Sequence, residues 1–248
     1  MRKAFTYKDE KSNKFWWIDY SGKDFAVNYG KTGTNGKYEI KEFDSSEECE
    51  KEAVKLIVQK IKKGYKESLD FDFINHNYFD NEEIGLHPKT SHPNFVEHFT
   101  EEFYYYCGEE EAPFGNDNGA DVLDELMEHI GKKGNANITI FPKMIIEKNW
   151  SMTYIPPDNT DESYIINLIG ESKGDVLDND RIIYMNDEVI IAAAFGQIKI
   201  TGTIEKRLQD LAINSLKRME ILRRHLRYPK SPFIEKMKKD LESFRNTK

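Results

Sequence analysis

The chain has 248 residues, 32% of them charged, and a formal net charge of −8; its mean hydropathy is −0.72. This length accommodates one large or two modest domains, the longest apolar run (Val189 to Phe195) is far too short to span a bilayer, and Met1 to Thr6 lacks the apolar core of a signal sequence. A cytosolic chain with no membrane partner is therefore expected, and with Cys49 and Cys107 as its only thiols it can build neither a disulfide framework nor a multi-thiol zinc site.

Three runs near the N-terminus, 15–20, 25–29 and 37–43, are rich in aromatic and branched residues and separated by glycine turns, which predicts an antiparallel sheet. Trp16 and Trp17 are adjacent on the first run, so they point to opposite faces and at least one must be buried. Between the second and third runs lies Tyr29-Gly30-Lys31-Thr32-Gly33-Thr34-Asn35-Gly36, where Asn35-Gly36 supplies a tight hairpin and Gly30 and Gly33 admit close backbone approach. A helix follows at once. Ser45 and Glu48 have capping-box spacing, Cys49, Ala53, Leu56, Ile57 and Ile61 recur at helical intervals, and Gly64 ends the element.

This order of elements resembles the WGR domain, with Tyr-Gly-Lys-x-Gly-Thr-x-Gly in the loop, Phe43 before the helix cap and Lys62-Lys63-Gly64-Tyr65 at its end. The whole chain resembles the uncharacterised bacterial proteins that carry this domain. The resemblance implies a sheet with one helix packed on it and, from the poly(ADP-ribose) polymerases that share the domain, contact with DNA at a break. The motif that names the family, Trp-Gly-Arg, stands here as Tyr29-Gly30-Lys31. Lysine is a point charge and lacks the planar fork with which arginine grips a phosphate through two bonds.

Beside the resemblance, the loop chemistry makes its own case. An ammonium on Lys31, the ring of Tyr29 and backbone N–H groups freed by Gly30 and Gly33 can converge on a phosphate and a sugar or base, and Lys37, Lys41, Lys62 and Lys63 can widen the basic surface. The competing reading makes Trp16, Trp17 and Tyr29 sheet packing and the lysines solubilising charge. For the tryptophans packing is the preferred reading; for Lys31, contact with a partner.

Residues 69–94 show no clean periodicity, yet Phe71, Phe73, Tyr78 and Phe79 are too many aromatics for a free linker. A packed connector lying across the second domain is expected. Beyond it, Phe95, Val96, Phe99 and Phe103 share one helical face. A turn-rich loop then leads to a helix with core residues Leu123, Leu126, Met127 and Ile130, an N-cap at Asp117 or Asn118 and a stop at Gly131. Residues 137–141 are ambiguous between strand and buried helix start. The run 182–195 reads as helix, and Gly196 and Gly202 bracket a bend. A helix over about 204–227 carries the stripe Ile204, Leu208, Leu211, Ser215, Met219, Leu222 and Leu226, with Arg207, Lys217, Arg218, Arg224 and Arg227 away from it. Phe233, Met237, Leu241 and Phe244 mark a last helix.

The net charge hides a partition: residues 1–66 carry 15 Lys and Arg against 11 Asp and Glu, residues 67–180 carry 6 against 25, and residues 181–248 carry 15 against 8. Blocks of opposite sign attract, within the fold or between chains. Two clusters invite a metal reading, His98 with Glu101 (beside His87, His92 and Glu97) and Asp117 with Asp121 and Asp124. Solvation explains the first and helix capping the second, so no metal or other cofactor is assigned. No phosphate loop, nucleophile elbow or Cys-His pairing supports an enzyme.

The fold expected is α+β: a WGR-like antiparallel sheet with a packed helix over residues 1–68, a connector over 69–94, and a mainly α-helical acidic domain with basic C-terminal helices over 95–248. The expected function is a non-enzymatic nucleic-acid-binding module that meets DNA through Tyr29, Gly30, Lys31, Gly33, Lys37, Lys62 and Lys63. The alternative is a protein-interaction protein whose acidic helical domain meets a basic partner.

Overall fold

The computed structural model describes residues 1–80, 83–170 and 178–246, and the chain divides between Pro93 and Asn94 into two compact units. The first holds strands β1 (Arg2–Lys8), β2 (Asn13–Ser21), β3 (Asp24–Lys31), β4 (Lys37–Glu42) and β5 (Lys66–Ser68), with helix α1 (Ser46–Lys62). The strands form one antiparallel sheet in the order β4-β3-β2-β1-β5. The three expected strands are there, and β1 and β5 extend the sheet beyond them. In β1 only Ala4 and Phe5 are buried. β5 has no apolar side chain and is defined solely by pairing Lys66 to Ser68 against Thr6 to Ala4.

The sheet is buried on both faces because β2 puts a tryptophan on each. Trp16 joins Phe5, Ile18, Tyr20, Phe25 and Val27 against Cys49 and Ala53 of α1. Trp17 joins Ala4, Phe15, Tyr38 and Tyr78, with Phe71, Phe73 and Phe79 packed around them. The segment expected to lie across the second domain therefore covers the sheet's second face, because that face presents a larger apolar surface than strand alternation alone suggests. Ser45 caps α1 by accepting from Glu48 N at 3.1 Å. At the other end Tyr65 N donates to Lys60 O and Gly64 N to Ile61 O, with Gly64 at φ +89°. Ile61, expected inside, lies one turn beyond the last core residue of α1 and is exposed.

The second unit is mostly helical: α2 (Pro93–His98, opening at the division), α3 (Asp117–Lys133), α4 (Phe141–Met144), α5 (Glu162–Gly170), α6 (Asn179–Thr201), α7 (Lys206–His225) and α8 (Pro232–Ser243). α6 is the central helix, buried along nearly its whole length from Ile182 to Ile200, with Asn186, Asp187, Gln197 and Lys199 buried among its apolar residues. The bend expected at Gly196 is absent. A Cβ there would stand 2.8 Å from Leu126 Cδ2, so the glycine serves close approach of α3 rather than a turn. The helix ends at Gly202, in the left-handed region at φ +69°.

Other boundaries also shift. Asn116, not Asp117 or Asn118, caps α3 by accepting from Gly119 N at 2.8 Å, and the helix runs through Gly131 to Lys133. α2 stops at His98, and Glu102–Tyr105 forms a separate 3-10 turn that buries Tyr104 rather than Phe103. Residues 138–140 form a 3-10 turn leading into α4, with Pro142 in its first turn. Glu205 holds that turn, accepting from Ile138 N and Thr139 N at 2.9 Å each. Among the described residues no helix is long and apolar enough to cross a membrane.

Arg218 departs most from expectation. It is fully buried on α7, donating from Nε at 3.0 Å and Nη2 at 2.8 Å to the buried Asp187 of α6, and from Nη2 to Ile155 O at 2.9 Å. Charge alone placed it with the solvated arginines, but a carboxylate on the facing helix lets a guanidinium take a core position. The pair clamps α6 to α7 and fastens residue 155 to both. Arg218→Met leaves Asp187 as an unpaired buried charge and is expected to cost about 3–5 kcal/mol. Adding Asp187→Leu is expected to recover most of that loss; chemical denaturation of the three chains makes the comparison.

Candidate nucleic-acid interface

The loop between β3 and β4 is held from beneath. Asn28, fully buried on β3, donates from Nδ2 to Asn35 O at 3.1 Å. That orientation leaves its Oδ1 to accept from His76 Nε2 at 3.0 Å, so the ring hydrogen sits on Nε2. At the loop's start Thr32 N donates to Asn13 O at 3.0 Å. Gly36 has φ +71°, and a Cβ on it would lie 2.7 Å from Phe15 Cζ; one on Gly30 would lie 2.9 Å from Gly36 Cα. Gly30 thus lets the two ends of the loop touch. Gly33, at φ +87°, has open space around it and serves the turn.

Strand register arranges the charges. Lys14 of β2 stands directly opposite Lys31 of β3, and one step along the same face Trp16 stands opposite Tyr29, itself opposite Lys37 of β4. On the far side Tyr7 of β1 is paired with Lys14. Lys60, from the last turn of α1, lies over this row with its Nζ 5.1 Å from the ring centre of Trp16, 5.7 Å from Tyr29 and 5.3 Å from Tyr65. Burial, followed by the charge of Lys63, pulls the Lys60 ammonium below its ordinary range, and Lys14 pushes the same way. Tyr29 Oη donates to Glu39 Oε1 at 2.5 Å, which raises the phenol, and Lys37 Nζ is 3.5 Å from the same oxygen.

Of the residues predicted to meet a partner, Tyr29, Lys31, Lys37 and Lys63 are therefore gathered at one end of the helix-covered face. Gly30 and Gly33 shape the backbone. Lys62 is exposed, two positions from Lys60 and so turned away from it. Sequence reasoning missed Lys14 and Lys60. The former is visible only once register is known, and the latter only once the helix is seated on the tryptophan. It also missed Asn28 and His76, whose polarity gave no hint of an aromatic setting. The second unit's suspected metal cluster is engaged otherwise: His98 Nε2 donates to Asp240 O at 2.8 Å, and Glu101 Oε1 lies 3.7 Å from Lys236 Nζ. No group of three or more potential metal ligands occurs among the described residues.

Residues 1–72 match the WGR domain family. YfeS of Escherichia coli K12, an uncharacterised protein, is 45% identical over 98% of this chain and 98% of its own length. The chain belongs to the YfeS family of WGR-domain proteins. YehF, also of E. coli K12, is 43% identical over 63 residues, 25% of this chain and 23% of YehF. A crystallised Bacteroides fragilis protein is 30% identical where it aligns, over 51% of this chain and 38% of its own, with a TM-score of 0.28, too low to bear on the fold. The matched WGR region takes in β1, β5 and Phe71, the parts of the sheet and its cover that strand patterning alone did not show.

Two outcomes follow for the loop. Gly36→Ala is expected to lower the melting temperature more than Gly33→Ala, since both strain a positive φ but only the former also collides with Phe15 and Asn28. The second concerns acid. His76, desolvated and then opposed by His92, titrates at about 4 rather than 6.5. The unfolded chain therefore takes up this proton first, so the contribution is complete above pH 6.5 and drains away as pH falls toward 4, by up to about 3 kcal/mol. His76→Gln is expected to flatten the stability profile in that window, measured by urea unfolding at stepped pH.

Proposed function

We propose that the row Lys14, Lys31, Lys60 and Lys63 is a contact surface for the sugar-phosphate backbone of DNA, and that this chain acts as a non-enzymatic nucleic-acid-binding protein. The observation that carries the reading is the cross-strand pair Lys14–Lys31. Like charges directly opposite on a sheet oppose folding, and among the described residues neither ammonium has a carboxylate within ion-pair distance. An anion laid between them relieves the repulsion. The rings of Tyr7, Tyr29 and Tyr65 beside the lysines suit the sugar or base next to a bound phosphate. Membership of a WGR family agrees with this reading, although here the named motif offers lysine in place of arginine.

The test is titration of the full chain with a blunt-ended duplex at several salt concentrations. Lys14→Ala and Lys31→Ala are each expected to weaken binding and to make the salt slope shallower by about one phosphate's worth. Each is also expected to leave the melting temperature unchanged or raise it, because the repulsion is gone. Lys31→Arg restores a two-bond grip and is expected to tighten binding. If both alanine variants match the parent in affinity and slope while remaining folded, the surface is only solvated charge. The leading function would then be protein interaction, through the carboxylates that α3 sets in solvent at Asp121, Asp124 and Glu125.

A further inference from the structure

α7 ends with the same pattern of hydrogen bonds as α1. Tyr228 N donates to Arg223 O at 2.8 Å and Arg227 N to Arg224 O at 3.2 Å, reproducing the bonds of Tyr65 and Gly64. The residue that must enter the left-handed region is Gly64 after α1 and Gly202 after α6; after α7 it is Arg227, at φ +63°. A side chain at that position crowds the backbone. Arg227 is exposed, and its guanidinium has no hydrogen bond or ion pair among the described residues. A fold indifferent to this side chain would be better served by glycine.

The arginine borders a cleft of about 650 Å³ between the α7–α8 elbow and α8, lined by Arg224, Arg227, Tyr228, Lys230, Lys238 and Lys239 among others. Three carboxylates share the lining, Glu220, Glu235 and Glu242. Lys230 and Lys239 both reach Glu235, at 2.7 and 2.9 Å, Lys238 reaches Glu220 at 2.6 Å and Arg224 reaches Glu162 at 2.7 Å, which leaves Arg227 as the cation of the lining with charge to spare. Tyr228 is 59% exposed. Its ring is backed by the Arg223 guanidinium, 5.8 Å from the ring centre, and Arg223 is itself fixed by Pro229 O at 3.0 Å and Glu111 at 2.7 Å. A held aromatic ring and an unpaired guanidinium thus stand together at the mouth of a half-open basic cleft, whose volume suits a small ligand.

We propose that this cleft binds a nucleotide, either free or as the phosphorylated end of a single strand, with Tyr228 stacking on the base and Arg227 pairing with phosphate. The site lies within the helical unit and does not depend on the lysine row of the sheet.

Calorimetric titration of the full chain with ATP in low-salt, metal-free buffer tests this. The parent is expected to bind, and Arg227→Gly to weaken binding by about tenfold while raising the melting temperature, since glycine accepts the left-handed conformation. A merely structural role for Arg227 would not separate those two effects. Tyr228→Ala is expected to weaken binding as well, and both losses are expected to be seen equally in the Lys14→Ala/Lys31→Ala chain, in which the lysine row no longer competes for the phosphates. A 5′-phosphorylated thymidine oligonucleotide, titrated into the Lys14→Ala/Lys31→Ala chain, distinguishes the two sources. Tighter binding than ATP, lost again with Arg227→Gly, marks a strand end; weaker binding marks a free nucleotide. Failure of the parent to bind either probe, or binding that survives both Arg227→Gly and Tyr228→Ala, overturns the proposal.

Discussion

Two adjacent tryptophans on one strand impose the constraint from which the first unit follows. Trp16 and Trp17 must leave β2 in opposite directions, and both are buried. A sheet with a large aromatic residue on each face needs two covers. α1 supplies one, while the other comes from residues 71–79, which carry no regular element but do carry the aromatics. Once that cover is in place His76 falls beside Asn28, Asn28 reaches Asn35, and the loop bearing Lys31 is fixed. The position of a surface lysine on one face thus traces back to a ring buried under the other.

The second unit is organised by a different economy of space. α6 runs through the middle with hardly an exposed residue, and its neighbours approach where it is thinnest or where it offers a charge. Gly196 admits Leu126 of α3, and Asp187 receives Arg218 of α7. The ion pair is a poor source of net stability compared with well-packed apolar residues, but it fixes which face of α7 turns inward, since only one register seats the guanidinium on its carboxylate.

Much of this was legible in the chain. The Ser45 cap and the stripe from Leu208 to Leu222 correspond to elements of the structure because each is a local signal read at its natural period. The tight Asn35-Gly36 turn, by contrast, does not form: residues 32–36 join the strands as a longer loop in which Gly33 and Gly36, but not Asn35, have positive φ. What escaped was non-local. β5 exists only through its partner, and Gly196 looked like a breaker because nothing in the sequence shows Leu126 arriving beside it. Arg218 and Lys60 resemble solvated residues until the facing element is known. The lysine row shows the same limit: Lys31 was singled out by its loop, but Lys14 acquires meaning only from a register that pairs residues of like charge. Lys14–Lys31 and Arg227 are among the places where the chain breaks a folding rule, and such breaks are where surfaces made for something else are best sought.

The cover made by residues 71–79 has a dynamic consequence. Its hold on the sheet is almost entirely side chain: rings against Trp17 and Phe15, the Tyr38 hydroxyl on Asn77 O, the His76 ring on Asn28. A segment without a backbone ladder of its own opens as a piece, at a free energy below that of the strands it lies on. Its opening would bare Trp17 to water and release Asn28, so amide exchange in the loop should follow amide exchange in the cover although the two occupy different parts of the sheet. Any molecule that holds the loop still must, by reciprocity, slow the peeling of the far face.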